Sequence, residues 1–310
     1  MQKSEMNLRY CITVLLIVFT SLNTTTVYAQ GCSDAGICSA PTIKLTDTSV
    51  LSGTKKNLLN VGFTFGTAQY NVRVLSLGME YTRFFGKNII ASAKYNYAVV
   101  NGPLGTNVGP SDILVTGAYR VKKFTPMAGI KIPLTDANKI DRGLPLPMAY
   151  QTSLGTTDVL LGLTYSTSVW GVSVAWQQPV VQNTSSVFVT DYDVDVINQK
   201  YVSTNGFERK ADVIAKAFYN IPFKNKRWLF TPGLLPIFHT ANDTWLNKAG
   251  QRNEIAGSQG LTLNTNVALT YTANPSLFFR LTVGAPALAR KVRPEGLTKF
   301  AVILEYSARL

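Results

Sequence analysis

The chain carries one histidine, His239, and any Ser–His chemistry would have to use it, because a weak hydroxyl nucleophile needs an adjacent base. Its neighbourhood reads Pro236-Ile237-Phe238-His239-Thr240-Ala241-Asn242, with no serine beside the ring. No Gly-x-Ser-x-Gly elbow accompanies it, and no cluster of metal ligands. Residues 102–109 are rich in glycine but lack the Lys-Ser/Thr ending of a phosphate loop, and no helical pattern follows. These residues predict a protein that is not an enzyme and holds no cofactor or metal. His239 is expected at the base of a loop.

Two cysteines, Cys32 and Cys38, close the short segment Cys-Ser-Asp-Ala-Gly-Ile-Cys. In an exported chain a matched pair reads as one disulfide. The rival, metal binding, has no histidine or second cysteine pair nearby. What remains is electrostatic chemistry. The 310 residues contain 30 Lys and Arg against 17 Asp and Glu, a net charge of +13. That balance favours anionic partners such as lipopolysaccharide phosphates and acidic solutes. The basic residues are scattered rather than gathered in a patch, so no nucleic-acid partner is expected.

The ionisable residues fall at alternate positions of apolar runs. Phe63 and Phe65 alternate with Gly62, Thr64 and Gly66, and Trp170, Val172, Val174 and Trp176 alternate with small or polar residues. Period two puts successive side chains on opposite faces of a strand. Twelve such runs are read: 57–66, 74–85, 88–100, 111–121, 124–134, 157–166, 169–179, 207–222, 227–239, 261–272, 276–284 and 298–310. Only 15% of residues are charged and 46% are hydrophobic, with 23 glycines. That composition disfavours disorder and a helical bundle.

Before the runs comes a targeting segment. Lys3 and Arg9 form a basic start, residues 11–22 an apolar stretch, and Val27-Tyr28-Ala29 a small-x-small cleavage site. The stretch is short against the ~20 residues of a spanning helix. The domain reading is a signal peptide at 1–29, a periplasmic arm or lumen plug at 30–56, and a barrel at 57–310.

The connections sort into two alternating classes. Tight ones, such as Gly86-Lys87 and Lys122-Lys123, take turns with five long ones at 101–110, 135–156, 180–206, 240–260 and 285–297. A soluble sandwich has no reason to sort its loops so. A transmembrane barrel does, with short periplasmic turns and long outer loops. The expected fold is therefore an all-β transmembrane antiparallel β-barrel of about twelve strands, in the cell outer membrane, with both termini periplasmic. Aromatic residues near run ends, Tyr81, Phe84, Phe85, Trp170, Phe218 and Trp228 among them, would form the interfacial girdles. Twelve strands enclose more space than side chains of an eight-stranded barrel can fill, so a water path, plug or ligand is expected inside.

Lumen-facing candidates are Lys94, Asp112, Arg120 and Lys131, followed by Asp158, Lys210, Asp212 and Arg280. Asp112 and Asp158 would pair with Arg120 or Lys131. The last strand alternates Phe300, Val302, Leu304, Tyr306, Ala308 and Leu310 with more polar residues. It resembles the terminal signal by which the barrel assembly machinery recognises outer-membrane barrels, except that Leu310 replaces the usual final aromatic.

Three motifs occur in order. Gly109-Pro110-Ser111-Asp112 leads into a strand, Gly129-Ile130-Lys131-Ile132-Pro133-Leu134-Thr135 closes the next, and Leu154-Gly155-Thr156-Thr157-Asp158 opens a third. Together they resemble the outer-membrane proteins of the phenol-degradation-pathway family, similar in turn to the long-chain fatty-acid transporter group. The resemblance implies a barrel that passes small, often hydrophobic compounds. The expected function is an outer-membrane channel for small molecules, passing them passively through the lumen. The alternative is a non-conducting barrel that serves as scaffold or assembly partner of a larger complex.

Overall fold

The computed structural model describes residues 56–192, 201–296 and 298–310. The expected signal peptide at 1–29, the expected arm or plug at 30–56 apart from Lys56, and the expected Cys32–Cys38 disulfide lie outside the described residues. Seventeen β segments follow in chain order. They are β1 (Asn57–Ala68), β2 (Arg73–Phe85), β3 (Ile89–Gly102), β4 (Gly105–Tyr119), β5 (Phe124–Pro133), β6 (Ile140–Asp141), β7 (Leu144–Pro145) and β8 (Thr157–Ser166). Then come β9 (Trp170–Val181), β10 (Asp212–Tyr219), β11 (Ile221–Pro222), β12 (Trp228–His239), β13 (Thr244–Leu246), β14 (Arg252–Glu254), β15 (Gly260–Asn274), β16 (Leu277–Leu288) and β17 (Thr298–Arg309).

Twelve of these make one closed antiparallel barrel. Each strand pairs with its neighbour along the chain, β11 prolongs β10, and β1 pairs with β17. Closure matters because backbone groups facing hydrocarbon find no water and must all be paired between strands. The alternation sorts the faces. Phe63, Phe65, Leu75 and Met79 are exposed on the outside, while Glu80, Thr82, Ser92 and Asp112 are buried within. No described helix is long and apolar enough to cross a membrane.

The two ends differ as the loop sorting requires. At one end lie the tight turns and both strand termini, where the Leu310 N–H donates to the Asn57 carbonyl at 3.0 Å. Aromatic pairs ring this end: Phe124 with Tyr165 at 5.1 Å, Trp228 with Tyr271 at 4.6 Å, Phe279 with Tyr306 at 5.6 Å. Two of the aromatics expected in the girdles lie elsewhere. Phe84 packs against a buried inner cluster and Phe218 lines the interior, because each has the opposite strand parity to its exposed neighbours Phe85 and Tyr219.

The loop end carries four long connections rather than five. Residues 101–110 are not a loop: β3 runs to Gly102, β4 starts at Gly105, and the strands extend outward as a tight hairpin. Gly105 has φ +150°, and a Cβ there would meet Asp141 Oδ2 at 2.0 Å, so only glycine permits this turn against the β6–β7 hairpin. The run read from 207 begins as a strand only at Asp212, and residues 207–211 belong to the loop layer. The four connections pack on one another. Ala137, Met148, Leu154, Phe207 and Ile255 form one buried cluster drawn from three of them.

The interior is divided. Under β3 to β12, the inward apolar residues Ile90, Leu114, Met127, Leu160, Ile214 and Leu235 pack together among buried polar ones such as Ser92, Thr116, Thr164 and Gln177. Sequence patterning alone gave a polar inner wall and an apolar outer one. Instead the wall's own side chains fill one side of the lumen, and the open space lies on the other, under β1, β2, β15, β16 and β17.

Candidate functional site

The open side holds a cavity of about 250 Å³ that is continuous with open solvent. Its floor and walls are alternate residues of β1, β2, β3, β16 and β17, including Asn60, Gly62, Glu80, Lys94, Arg280 and Glu305. Lys216 comes from β10 and Asn266 from β15. Residues 148–154 and 295–296, from two long connections, reach in and narrow the path at the loop end.

The 148–154 segment is fastened to the β4 edge. Ser153 Oγ donates to Asp112 Oδ1 at 2.6 Å, Ser111 Oγ donates to Asp112 Oδ2 at 3.0 Å, and Thr152 Oγ1 donates to the Pro110 carbonyl at 2.9 Å. Asn107 Nδ2 donates to the Tyr150 carbonyl at 3.1 Å. Gly155 ends this segment at φ +68°, where a Cβ would press on the Asp136 carbonyl at 2.8 Å. That close approach is the physical content of the Leu-Gly-Thr motif.

Beside the cavity, on the β5 to β12 side, lies a buried charge network. Lys131 Nζ stands 2.8 Å from Asp158 Oδ2, and Gln177 Nε2 donates to the same oxygen at 2.5 Å. Arg209 pairs with Asp212 and reaches Asp158 at 4.0 Å. His239 sits between two carboxylates, Nδ1 2.7 Å from Asp212 Oδ1 and Nε2 2.8 Å from Asp243 Oδ1. Ionised carboxylates only accept, so two such neighbours favour the form of the ring that donates from both nitrogens. Arg290 and Arg293 both bind Glu295 Oε1, at 2.6 and 3.0 Å.

Burial alone would lower the Arg209 guanidinium, but Asp212, Asp158, Glu295 and Asp243 outweigh it and raise its pKa. Burial would likewise raise the Glu295 carboxyl. Arg290, Arg293 and Arg209 prevail and bring it down to about 2. Buried ions of this kind must be mutually paired, because each carries a desolvation penalty of several kcal/mol. The network therefore ties three long connections to β5, β8, β10 and β12.

The sequence candidates divide as follows. Lys94, Asp112, Lys131 and Arg280 line the cavity. Asp158 and Asp212 are buried in the network beside it. Arg120 does not meet Asp112 or Asp158. It follows β4 at the tight-turn end, where its N–H donates to the Asn88 carbonyl at 2.7 Å, a strand's length from either carboxylate. Lys210 is not in the lumen either. It lies in the loop layer, 3.3 Å from Glu208, with both side chains about a third exposed. The error has one cause: strand β10 starts later than its alternation suggests. His239 is at a loop base as expected, and its side chain is wholly buried.

Sequence reasoning missed Arg209, Asp243, Arg290, Arg293 and Glu295. Four charges within residues 290–295 were a signal, but a dense charge run is ordinarily a solvated loop. In β17, Phe300, Leu304 and Tyr306 are exposed on the outer face, with Val302 on the same face and half-buried, while Ile303 lines the cavity; Leu310, just past the strand, is exposed. Among the described residues no group of His, Cys, Asp and Glu is arranged to hold a metal.

No protein-family model matches this chain, and no curated protein matches it in sequence. Solved structures do match in fold, and the fold class they define with the barrel geometry is the outer-membrane β-barrel. The COG4313 outer membrane channel from Pseudomonas putida F1 aligns over 83% of this chain and 96% of its own, with TM-score 0.53 and 13% identity. The CymD monoaromatic hydrocarbon channel aligns over 92% and 94%, with TM-score 0.46 and 9% identity. The KdgM porin aligns over 80% and 98%, with TM-score 0.41 and 10% identity.

Proposed function

We propose that this chain is an outer-membrane channel that passes small molecules passively through its lumen and is not an enzyme. The observation that carries the reading is the cavity of about 250 Å³, continuous with open solvent, that remains inside a closed twelve-strand barrel. A barrel whose only task was scaffolding would have no need to leave part of its interior unfilled while packing the rest with side chains. On this reading the tight-turn end and both termini face the periplasm, and the long connections face outside. Outer-membrane lipids and lipopolysaccharide surround the exposed apolar belt. The β17 pattern of Phe300, Val302, Leu304, Tyr306 and Leu310 serves the barrel assembly machinery.

The test is planar-bilayer conductance of the refolded exported chain, with and without residues 30–56. Steady conductance of the whole chain supports an open path. Conductance only after removal supports a plugged channel with the 30–56 segment as plug. Silence in both, with insertion verified, refutes the channel and favours the scaffold.

A further inference from the structure

Lysines and arginines gather at the tight-turn end, and none of its five turns contains Asp or Glu. Lys87 stands between β2 and β3, Lys122 and Lys123 between β4 and β5, and Lys226 and Arg227 just before β12. All five are exposed, and their side chains make no hydrogen bond, ion pair or ring contact among the described residues. Arg83, on the outer face of β2, is exposed as well, its guanidinium 5.5 Å from the Phe85 ring. The loop end differs. There exposed cations meet carboxylates, Lys248 with Asp191 at 2.5 Å and Arg252 with Glu208 at 3.1 Å. Two of the turn lysines are also held at a backbone cost. Lys122 has φ +54° and Lys226 φ +55°, the left-handed conformation that glycine adopts most readily. The β2–β3 turn uses Gly86 for it, at φ +63°.

We infer that the tight-turn end binds the headgroups of anionic phospholipids through their phosphates. The inference needs the barrel to lie in a membrane and does not need passage through the lumen. Each charged turn is flanked by exposed apolar side chains: Phe85 and Ile89 around Lys87, Val121 and Phe124 around Lys122 and Lys123, Phe223 and Trp228 around Lys226 and Arg227. Those side chains leave water by meeting acyl chains. The cations one or two residues beyond them, at ~3.3 Å per residue, then lie at headgroup height. A lipid phosphate there forms charge-assisted hydrogen bonds with lysine and arginine, and a basic surface beside a bilayer attracts anionic lipid. The charged turns are spread round the circumference, with the uncharged β8–β9 and β15–β16 turns between them. A surrounding leaflet reaches all of them at once, whereas a single acidic protein would need them on one side.

The experiment refolds the whole exported chain into phosphatidylcholine vesicles that contain a minority of phosphatidylglycerol. Electron paramagnetic resonance then measures the immobilised, protein-bound lipid, with each of the two lipids spin-labelled in turn. Phosphatidylglycerol should be enriched several-fold over phosphatidylcholine, and added salt should reduce the enrichment. K122Q/K123Q/K226Q should remove most of it. K139Q/R142Q/K291Q, which takes three exposed cations from the loop end, should leave it unchanged. Equal binding of the two lipids by the parent overturns the inference, and that measurement needs no variant to fold. Enrichment that persists in K122Q/K123Q/K226Q, or falls equally in both triple variants, overturns it too. Equal binding of the lipids, with polyglutamate retained by the parent and lost in K122Q/K123Q/K226Q, would give this end to an acidic protein instead.

Discussion

Lys131 and Asp158 are cross-strand register partners on β5 and β8, joined at 2.8 Å with almost no solvent exposure on either side chain. The pair holds one side of the network that fastens the loops to the wall. K131M leaves the Asp158 carboxylate with Gln177 and a distant Arg209, and should cost on the order of 3–5 kcal/mol, the usual penalty for orphaning a buried charge. The K131M/D158L double variant should recover much of that loss. Urea unfolding in lipid vesicles checks both, and a single variant as stable as the parent would show that the pair holds nothing.

Glu295 provides a pH dependence whose sign is set. Its carboxyl titrates near 2 when folded, below the ordinary value of 4.5. A depressed carboxylate stabilises the fold fully above about 4.5, and that contribution fades as pH falls toward 2. E295Q should therefore be less stable than the parent at neutral pH, by on the order of 3 kcal/mol. The gap should narrow between about pH 4.5 and 2. Parallel unfolding series across that range would reveal it; a constant gap would place the stabilisation elsewhere.

Ser153 fastens the inward segment through its bond to Asp112. A hydrogen bond to a charged acceptor contributes ~1.5–3 kcal/mol. S153A should loosen residues 148–154 and raise single-channel conductance, with noisier open states. Recordings indistinguishable from the parent would mean that this segment does not limit the path.

Leu304 and Ile303 are adjacent on β17 but face lipid and lumen respectively. An Arg on the lipid face near the membrane midplane costs ~2–4 kcal/mol, whereas a lumen position is wet. L304R should sharply reduce the folded fraction on a heat-modifiability gel, and I303R should assemble far better. Equal outcomes would contradict the register of β17 against β1 and β16.

The strands were legible because alternation is a local property. Twelve runs and their turns follow from period two, and the ladder β1–β17 closes them as the even count requires. Three boundaries were not legible. Asn101 to Pro110 has the composition of a loop yet continues a hairpin above the barrel, where pairing between β3 and β4 outweighs glycine content. Residues 207–211 alternate like a strand but are drawn into the loop layer by Phe207 and Arg209. Lys210 was misplaced for that reason, and Arg120 because alternation does not show where along the barrel axis a residue lies.

Sequence alone determined which face of each strand meets lipid, since every second side chain must share a face and the apolar half has one solvent to choose. It also determined that carboxylates and cations would share the inner wall. Only the tertiary structure decided which of them meet. Lys131 and Asp158 are 27 residues apart, and Asp158, Arg209 and Glu295 come from distant parts of the chain; closing the barrel and folding the connections inward brings them into one buried set. The division of the lumen into a packed side and an open side is likewise a property of the closed cross-section. It depends on which inward side chains face one another across the barrel, and strand periodicity says nothing about that.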